Sequence, residues 1–159
     1  KESVRFLIVG SGEYKPELER MVKELSLEEE VIFIPWIENE KLPALYNAAD
    51  VFIYPSIPFE GWEEQFGYSI AEASLSGLPV ISTHTGSIDE VLVDGQTGIM
   101  VPPNDIQALT LAMSECIEYP EKAKQFGRRG REFIKDNFSN SVIANKMFQL
   151  FKNVISRQQ

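Results

Sequence analysis

Apolar residues follow two alternating rhythms along this chain. Short apolar runs (RFLIV, VIFI, VFIY, LPVI, GIMV) alternate with segments whose apolar residues return at helical spacing. The runs predict strands of a buried parallel sheet, and the spaced segments predict amphipathic helices. The first strand is read over Val4–Gly10. The helix after it has Pro16 near its start and Leu18, Met21, Val22 and Leu25 on one face. EVIFIPW is the second strand. ENEKLPALYNAA is a helix with Leu42, Leu45, Tyr46 and Ala49 on one side, and DVFIYPS is the third strand, stopped by Pro55. IPFEGWEEQ reads as an irregular link. FGYSIAEASLSG is a helix closed by Gly77, and LPVIST is the fourth strand. Ser87 with Glu90 three residues on forms a capping-box pattern for a short helix. TGIMVPP is the fifth strand, and three helices fill the chain from Asp105 onward.

Five alternations of strand and helix with short links predict an α/β chain. Its fold class is a Rossmann-like doubly wound parallel sheet with extra C-terminal helices. Ligands of such sheets bind beyond the carboxyl ends of the strands. Here those ends are Gly10–Gly12, Pro35–Ile37, Pro55–Glu64 and Thr83–Ser87.

The length of 159 residues suits one domain, 1–159, and the start at Lys1 predicts a piece of a longer protein. Charge is unevenly spread. Residues 1–119 hold 6 Lys/Arg against 21 Asp/Glu, whereas residues 120–159 hold 9 against 3. So acidic a body argues against nucleic acid as the main partner. The basic tail reads as a solvated helix face, with an anionic surface or another domain as alternatives. No apolar run is long enough to cross a bilayer, and a single cysteine suits the reducing cytoplasm. Cys116 sits among apolar helix positions and is expected in the core. One histidine, one cysteine and no D-x-D predict no metal site.

Two stretches carry candidate chemistry. In VGSGEY, Gly10 and Gly12 follow a strand, but Lys15 stands where a dinucleotide fingerprint has its third glycine. A tight turn and direct ligand contact both remain open there. EQFGYSIAE is more informative. Glu64 precedes the helix start, Gly67 allows close backbone approach, and the first-turn N–H groups of Gly67, Tyr68 and Ser69 suit an anion. Glu72 lies roughly 7–8 Å deeper along the helix axis. Carboxylates accept from hydroxyls and repel phosphates. One at each end with amides between matches a ligand laid out as ribose, diphosphate and sugar. Two exposed glutamates would leave the apolar neighbours Ile70, Ala71, Ala73 and Leu75 and the Phe66-Gly67 break unexplained.

The stretch ADVFIYPS…EQFGYSIAEASLSGLPVISTHTGSIDEVLVDGQTGIMVPPND resembles the carboxy-terminal domain of retaining GT-B glycosyltransferases, the glycogen-synthase-like and mannosyltransferase-like group. The likeness runs from VRFLIVGSGEY to the last helix, and its specific element is E-x7-E, which Glu64 and Glu72 fit, whereas neither Glu60 nor Glu63 has a glutamate eight residues on. The resemblance implies a donor-binding half that takes a nucleoside-diphosphate sugar as substrate, with no cofactor. Glu64 would meet the donor sugar, Glu72 the ribose, and the Phe66–Ser69 backbone phosphate and sugar. The nucleobase would pack near Pro35, Trp36 and Ile37. The acceptor (glycan, lipid or small molecule) would be bound by a missing N-terminal domain, and peripheral membrane contact is a further implication. This piece alone is expected to be inactive. A nucleotide-sugar epimerase, a non-catalytic binding subunit and an NAD-dependent oxidoreductase are the alternatives.

Two features depart from that group. The link IPFEGWEE is longer and more acidic than usual, which bears on sugar selection. The group's diphosphate-neutralising Arg and Lys would lie before Lys1, and no cation adjoins the motif here. His84 is read as structural or solvent-facing rather than catalytic. Trp36 lines the cleft or simply packs, Trp62 has an exposed loop role, and Phe138, Met147, Phe148 and Phe151 serve as core or docking contacts.

Overall fold

A computed structural model describes residues 4–156, which divide into two compact units at the boundary between Ala44 and Leu45. The first unit holds β1 (Phe6–Val9), α1 (Lys15–Glu24), β2 (Val31–Ile34), a 3-10 turn (Asn39–Lys41) and the start of α2 (Leu42–Ala48). β1 and β2 pair in parallel, from Phe6 opposite Val31 to Val9 opposite Ile34. The strands are less buried than their apolar runs predict. Leu7, Val9 and Ile32 are exposed, and no residue described in this unit is fully buried. A ladder of two strands has little to bury its second face against.

The second unit holds the rest of α2, then β3 (Phe52–Tyr54), α3 (Tyr68–Leu75), β4 (Val80–Thr83), α4 (Ile88–Val91), β5 (Gly98–Val101), α5 (Ile106–Glu118), α6 (Pro120–Phe138) and α7 (Asn140–Ser156). Its sheet is parallel in the order β3-β4-β5, so all five expected strands are present, in two separate ladders. β4 is central and buried at every residue, as a strand covered on both faces must be. Ile81 of β4 packs with Val101, Ala112, Ala123 and Cys116. Burial pushes the Cys116 thiol up to about 11, helped by the charge of Glu115, as suits an inert core cysteine.

The helix α3 is held from behind by α6. A methyl group on Gly127 would come within 2.0 Å of the Gly77 carbonyl oxygen, and one on Gly130 within 3.3 Å of the Thr97 carbonyl oxygen. These glycines therefore let the α6 backbone approach the end of α3 and its neighbours. Ile70, Ala71, Ala73 and Ser74 form the buried side of α3, leaving Glu72 on the open side. Phe138 at the end of α6 packs edge-on against Phe66, with centroids 5.3 Å apart. The other three aromatic and apolar positions singled out near the C-terminus behave differently. α7 buries no residue, and Met147, Phe148 and Phe151 are all exposed.

The link between β3 and α3 is irregular as expected, apart from one tight turn. Phe59 and Trp62 exchange backbone hydrogen bonds across Glu60 and Gly61, whose φ angles are +48° and +81°. Two left-handed residues in a row make the primed turn that suits a tight hairpin.

Candidate functional site

Glu64 is held at four points at the tip of α3. Its Oε2 accepts from the Tyr54 hydroxyl at 2.7 Å. Its Oε1 accepts from the N–H groups of Gln65 and Gly67, both at 3.1 Å, and more weakly from Phe66 at 3.5 Å. Gly67 makes this wrap feasible, because φ there is +77° and a side chain would crowd Ile70. Burial raises the Glu64 carboxyl pKa, but the Tyr54 hydroxyl and the N–H groups of Gly67, Phe66 and Gln65 outweigh it. The group is held below its ordinary value. Burial first, then the bond to Glu64 and its charge, push the Tyr54 hydroxyl up to about 12.

The backbone of Glu64 is gripped too. Ser87 donates its N–H to the Glu64 carbonyl at 2.8 Å. Gly86 lies so close that an added methyl would sit 1.9 Å from the Glu64 carbonyl oxygen. The Ser87 side chain makes no cap bond, so the predicted capping box does not form; its backbone serves Glu64 instead. Beside Gly86, the buried Thr85 hydroxyl has no partner among the described residues. The exit of β3 is pinned by Ser82, whose hydroxyl donates to the Tyr54 carbonyl at 2.7 Å, and by Thr83, bonded to the Ser56 carbonyl.

Glu72 is exposed and accepts from the Tyr46 hydroxyl at 3.1 Å. Burial, then the charge of Glu72 and the bond to it, push Tyr46 up to about 12, against a lowering bond from Ser69. Tyr46 stands edge-on to Phe52 at 5.7 Å, and Phe52 lies along Tyr54 at 6.2 Å. The row Glu64–Tyr54–Phe52–Tyr46–Glu72 is thus continuous, so the two carboxylates share one side of this unit. A cavity of about 230 Å³ reaches Tyr46, Ser76, Pro79 and Lys124 but neither glutamate. Both carboxylates stand on an open surface.

The N–H groups proposed for an anion divide in two. Those of Phe66 and Gly67 serve Glu64. Those of Tyr68 and Ser69, in the first turn of α3, have no partner among the described residues. In the first unit, Gly10 donates its N–H to the Ile34 carbonyl at 3.0 Å, bringing Gly10 next to the start of Pro35–Ile37. Gly10 has φ +127°, a conformation that favours glycine, whereas Gly12 has ordinary backbone and open space around it. Trp36 is 70% exposed and Trp62 is 51% exposed. His84 is exposed and lies 3.3 Å from Asp89, in keeping with a solvent-facing role.

Tyr46, Tyr54, Gly86 and the Ser87 N–H are the site members that the chain's pattern did not single out. Tyr46 stood only as one of a helix's apolar positions. Tyr54 ends a strand whose alternation puts it on the same face as Phe52, the one available signal.

A family described as glycosyl transferases group 1 matches residues 1–133. The chain belongs to that family. Within it, the chain is 36% identical over 137 residues to the GDP-mannose-dependent alpha-(1-6)-phosphatidylinositol monomannoside mannosyltransferase of Mycolicibacterium smegmatis, covering 82% of this chain and 35% of the relative. Sucrose-phosphate synthase from Thermosynechococcus elongatus superposes with a TM-score of 0.81 at 32% identity, over 95% of this chain and 38% of that one. Anabaena Alr3699/HepE in complex with UDP-glucose gives 0.83 at 26% identity, over 96% and 42%. This group 1 chain therefore spans little more than a third of the mannosyltransferase it matches. These superpositions agree with the Rossmann-like architecture. Among the described residues, no helix is long and apolar enough to cross a membrane.

Proposed function

We propose that this chain is the donor-binding half of a retaining GT-B glycosyltransferase, which moves a sugar from a nucleoside-diphosphate donor to an acceptor held mainly by another domain. The observation that carries the reading is the row joining Glu64 to Glu72 across the α3 tip. Family membership and the UDP-glucose complex of the similar Anabaena protein support it.

Each residue then has a defined task. Glu64, ionised and immobilised, accepts hydrogen bonds from the hydroxyls of the donor sugar. Glu72, exposed beside Tyr46, accepts from the ribose. The Tyr68 and Ser69 N–H groups face the diphosphate. Transfer with retention has the leaving phosphate take the acceptor's proton on the same face of the sugar. The catalytic task is to stabilise negative charge on that leaving group, which preorganised amides and cations do. The open surface around the glutamates is what half of a cleft presents.

The test is calorimetric titration of this chain with UDP-, GDP- and ADP-sugars. One of the three series binds, and Glu72→Ala weakens it about tenfold, the loss of one charged hydrogen-bond partner. No binding in any series, or Glu72→Ala equal to the parent, overturns the reading. In the complete enzyme Glu64→Ala removes most transfer, and activity within about twofold of the parent counts against the assignment. Product analysis without an acceptor distinguishes an epimerase.

A further inference from the structure

The hairpin between β3 and Glu64 carries two large rings that nothing in the described structure covers. Phe59 is 65% exposed and Trp62 is 51% exposed. They are a directly opposed pair, each donating its N–H to the other's carbonyl, at 3.0 and 2.8 Å. Residues paired in this way project from the same face of a hairpin. The two-residue turn at Glu60 and Gly61 leaves the pair little freedom. Both ends are anchored as well. Ser56 is bonded through its carbonyl to Thr83, and Glu64 is held through its carbonyl by Ser87 and through its carboxylate by Tyr54.

The chemistry around the rings is acidic. Glu60, Glu63 and Glu64 lie on the hairpin or just after it, and no Lys or Arg occurs between Lys41 and Lys122. An aromatic pair among carboxylates repels anions. It suits an uncharged ring with a C–H face to stack and a hydroxyl edge to donate, which is a saccharide. A nucleotide-sugar donor brings a ribose and one transferred sugar, and on the donor reading Glu72 and Glu64 already account for them. Two aromatic side chains on one face of the hairpin fit two further rings.

We propose that the Phe59–Trp62 hairpin is a docking platform for the acceptor, and that this acceptor presents an uncharged saccharide of at least two rings. The proposal rests on the reading of Glu64 as the partner of the donor sugar. It places part of acceptor selection on this chain, beside the donor.

The test uses this chain labelled with fluorotryptophan and followed by fluorine NMR. Trp62 is assigned by the signal lost in Trp62→Phe. Maltose, cellobiose and mannobiose are titrated beside methyl glucoside, glucuronate and anionic phospholipid vesicles, and UDP-sugars are titrated separately by calorimetry. At least one uncharged disaccharide shifts the Trp62 signal saturably. It does so about five- to tenfold more tightly than the single-ring glycoside, and Phe59→Ala weakens it by a similar factor. Circular dichroism of Phe59→Ala checks that this exposed substitution leaves the fold intact. A disaccharide response that Phe59→Ala leaves unchanged overturns the proposal. So does equal binding of glucuronate, or a response to vesicles alone. UDP-sugar binding with no disaccharide response overturns the platform and leaves the donor reading standing. Binding of neither ligand overturns both.

Discussion

Tyr54→Phe removes one hydroxyl and tests how Glu64 is fixed. The bond from Tyr54 to Oε2 is 2.7 Å long, the usual length for a hydroxyl donor. A hydrogen bond to a charged group contributes roughly 1.5–3 kcal/mol. Glu64 is only half-buried, so water takes the vacated position and the loss falls to about 1–2 kcal/mol. Losing the bond therefore raises the carboxyl pKa toward its ordinary value. The native carboxyl lies below its ordinary value, so the unfolded chain binds its proton more readily. The stability that Glu64 contributes is therefore complete above the unfolded-state value of about 4.3 and is lost as pH falls through the lowered native value. Urea unfolding at pH 7 shows Tyr54→Phe less stable than the parent. Below the native carboxyl's titration, where both carboxyls are protonated, most of the difference disappears. A carbon-13 NMR titration of the Glu64 carboxyl reads the pKa directly. An unmoved titration midpoint refutes the argument. An equal loss of stability at both pH values also refutes it, because packing of the ring would then account for the effect.

Three further outcomes follow from the glycines. Gly86→Ala drives a methyl into the Glu64 carbonyl at a left-handed φ of +53°, and urea unfolding shows a loss of about 3 kcal/mol or more. Gly127→Ala pushes α6 away from the Gly77 carbonyl and costs about 1–3 kcal/mol in the same assay. Gly12→Ala meets open space with ordinary backbone, so stability stays within about 0.5 kcal/mol. Calorimetry on Gly12→Ala then decides the alternative left open by VGSGEY, since weaker donor binding without lost stability marks a ligand contact and unchanged binding marks a turn.

Much of the fold was legible because period reports burial. LPVI read as a covered strand, and β4 is covered on every residue. FLIV and VIFI read the same way, yet Leu7, Val9 and Ile32 are exposed, because a run records what a strand can bury and not what lies over it. The glutamate pair stood out by its spacing together with the Phe66-Gly67 break and the apolar residues around Glu72. Its tyrosine partners did not, since Tyr54 meets Glu64 and Tyr46 meets Glu72 only once β3, α2 and α3 are assembled. The hairpin was hidden by composition. Glutamate rarely takes a left-handed φ, so Glu60-Gly61 lacks the Asn-Gly or Asp-Gly signature of its turn. Ser87 failed as a capping box because its backbone N–H is drawn to the Glu64 carbonyl, a contact between distant parts of the chain that a local pattern cannot anticipate.

The charge distribution makes the last prediction. On the donor reading, a diphosphate at the α3 tip meets the Tyr68 and Ser69 amides, with a helix-terminus contribution of about 0.3–1 kcal/mol, up to ~2 in favourable geometry. The same tip carries the ionised Glu64. At about 7 Å and an effective dielectric constant near 40, each phosphate charge is repelled by roughly 1 kcal/mol. Attraction and repulsion nearly cancel, and no Lys or Arg between Lys41 and Lys122 tips the balance. For whichever base this chain binds, the nucleoside and its diphosphate should therefore bind within about tenfold of each other. Added salt should raise the affinity of the diphosphate relative to the nucleoside, because screening relieves repulsion between like charges. Calorimetry at low and high salt measures both. A diphosphate held a hundredfold more tightly than its nucleoside, and weakened by salt, would show that the positive field at the tip outweighs Glu64 without any outside cation.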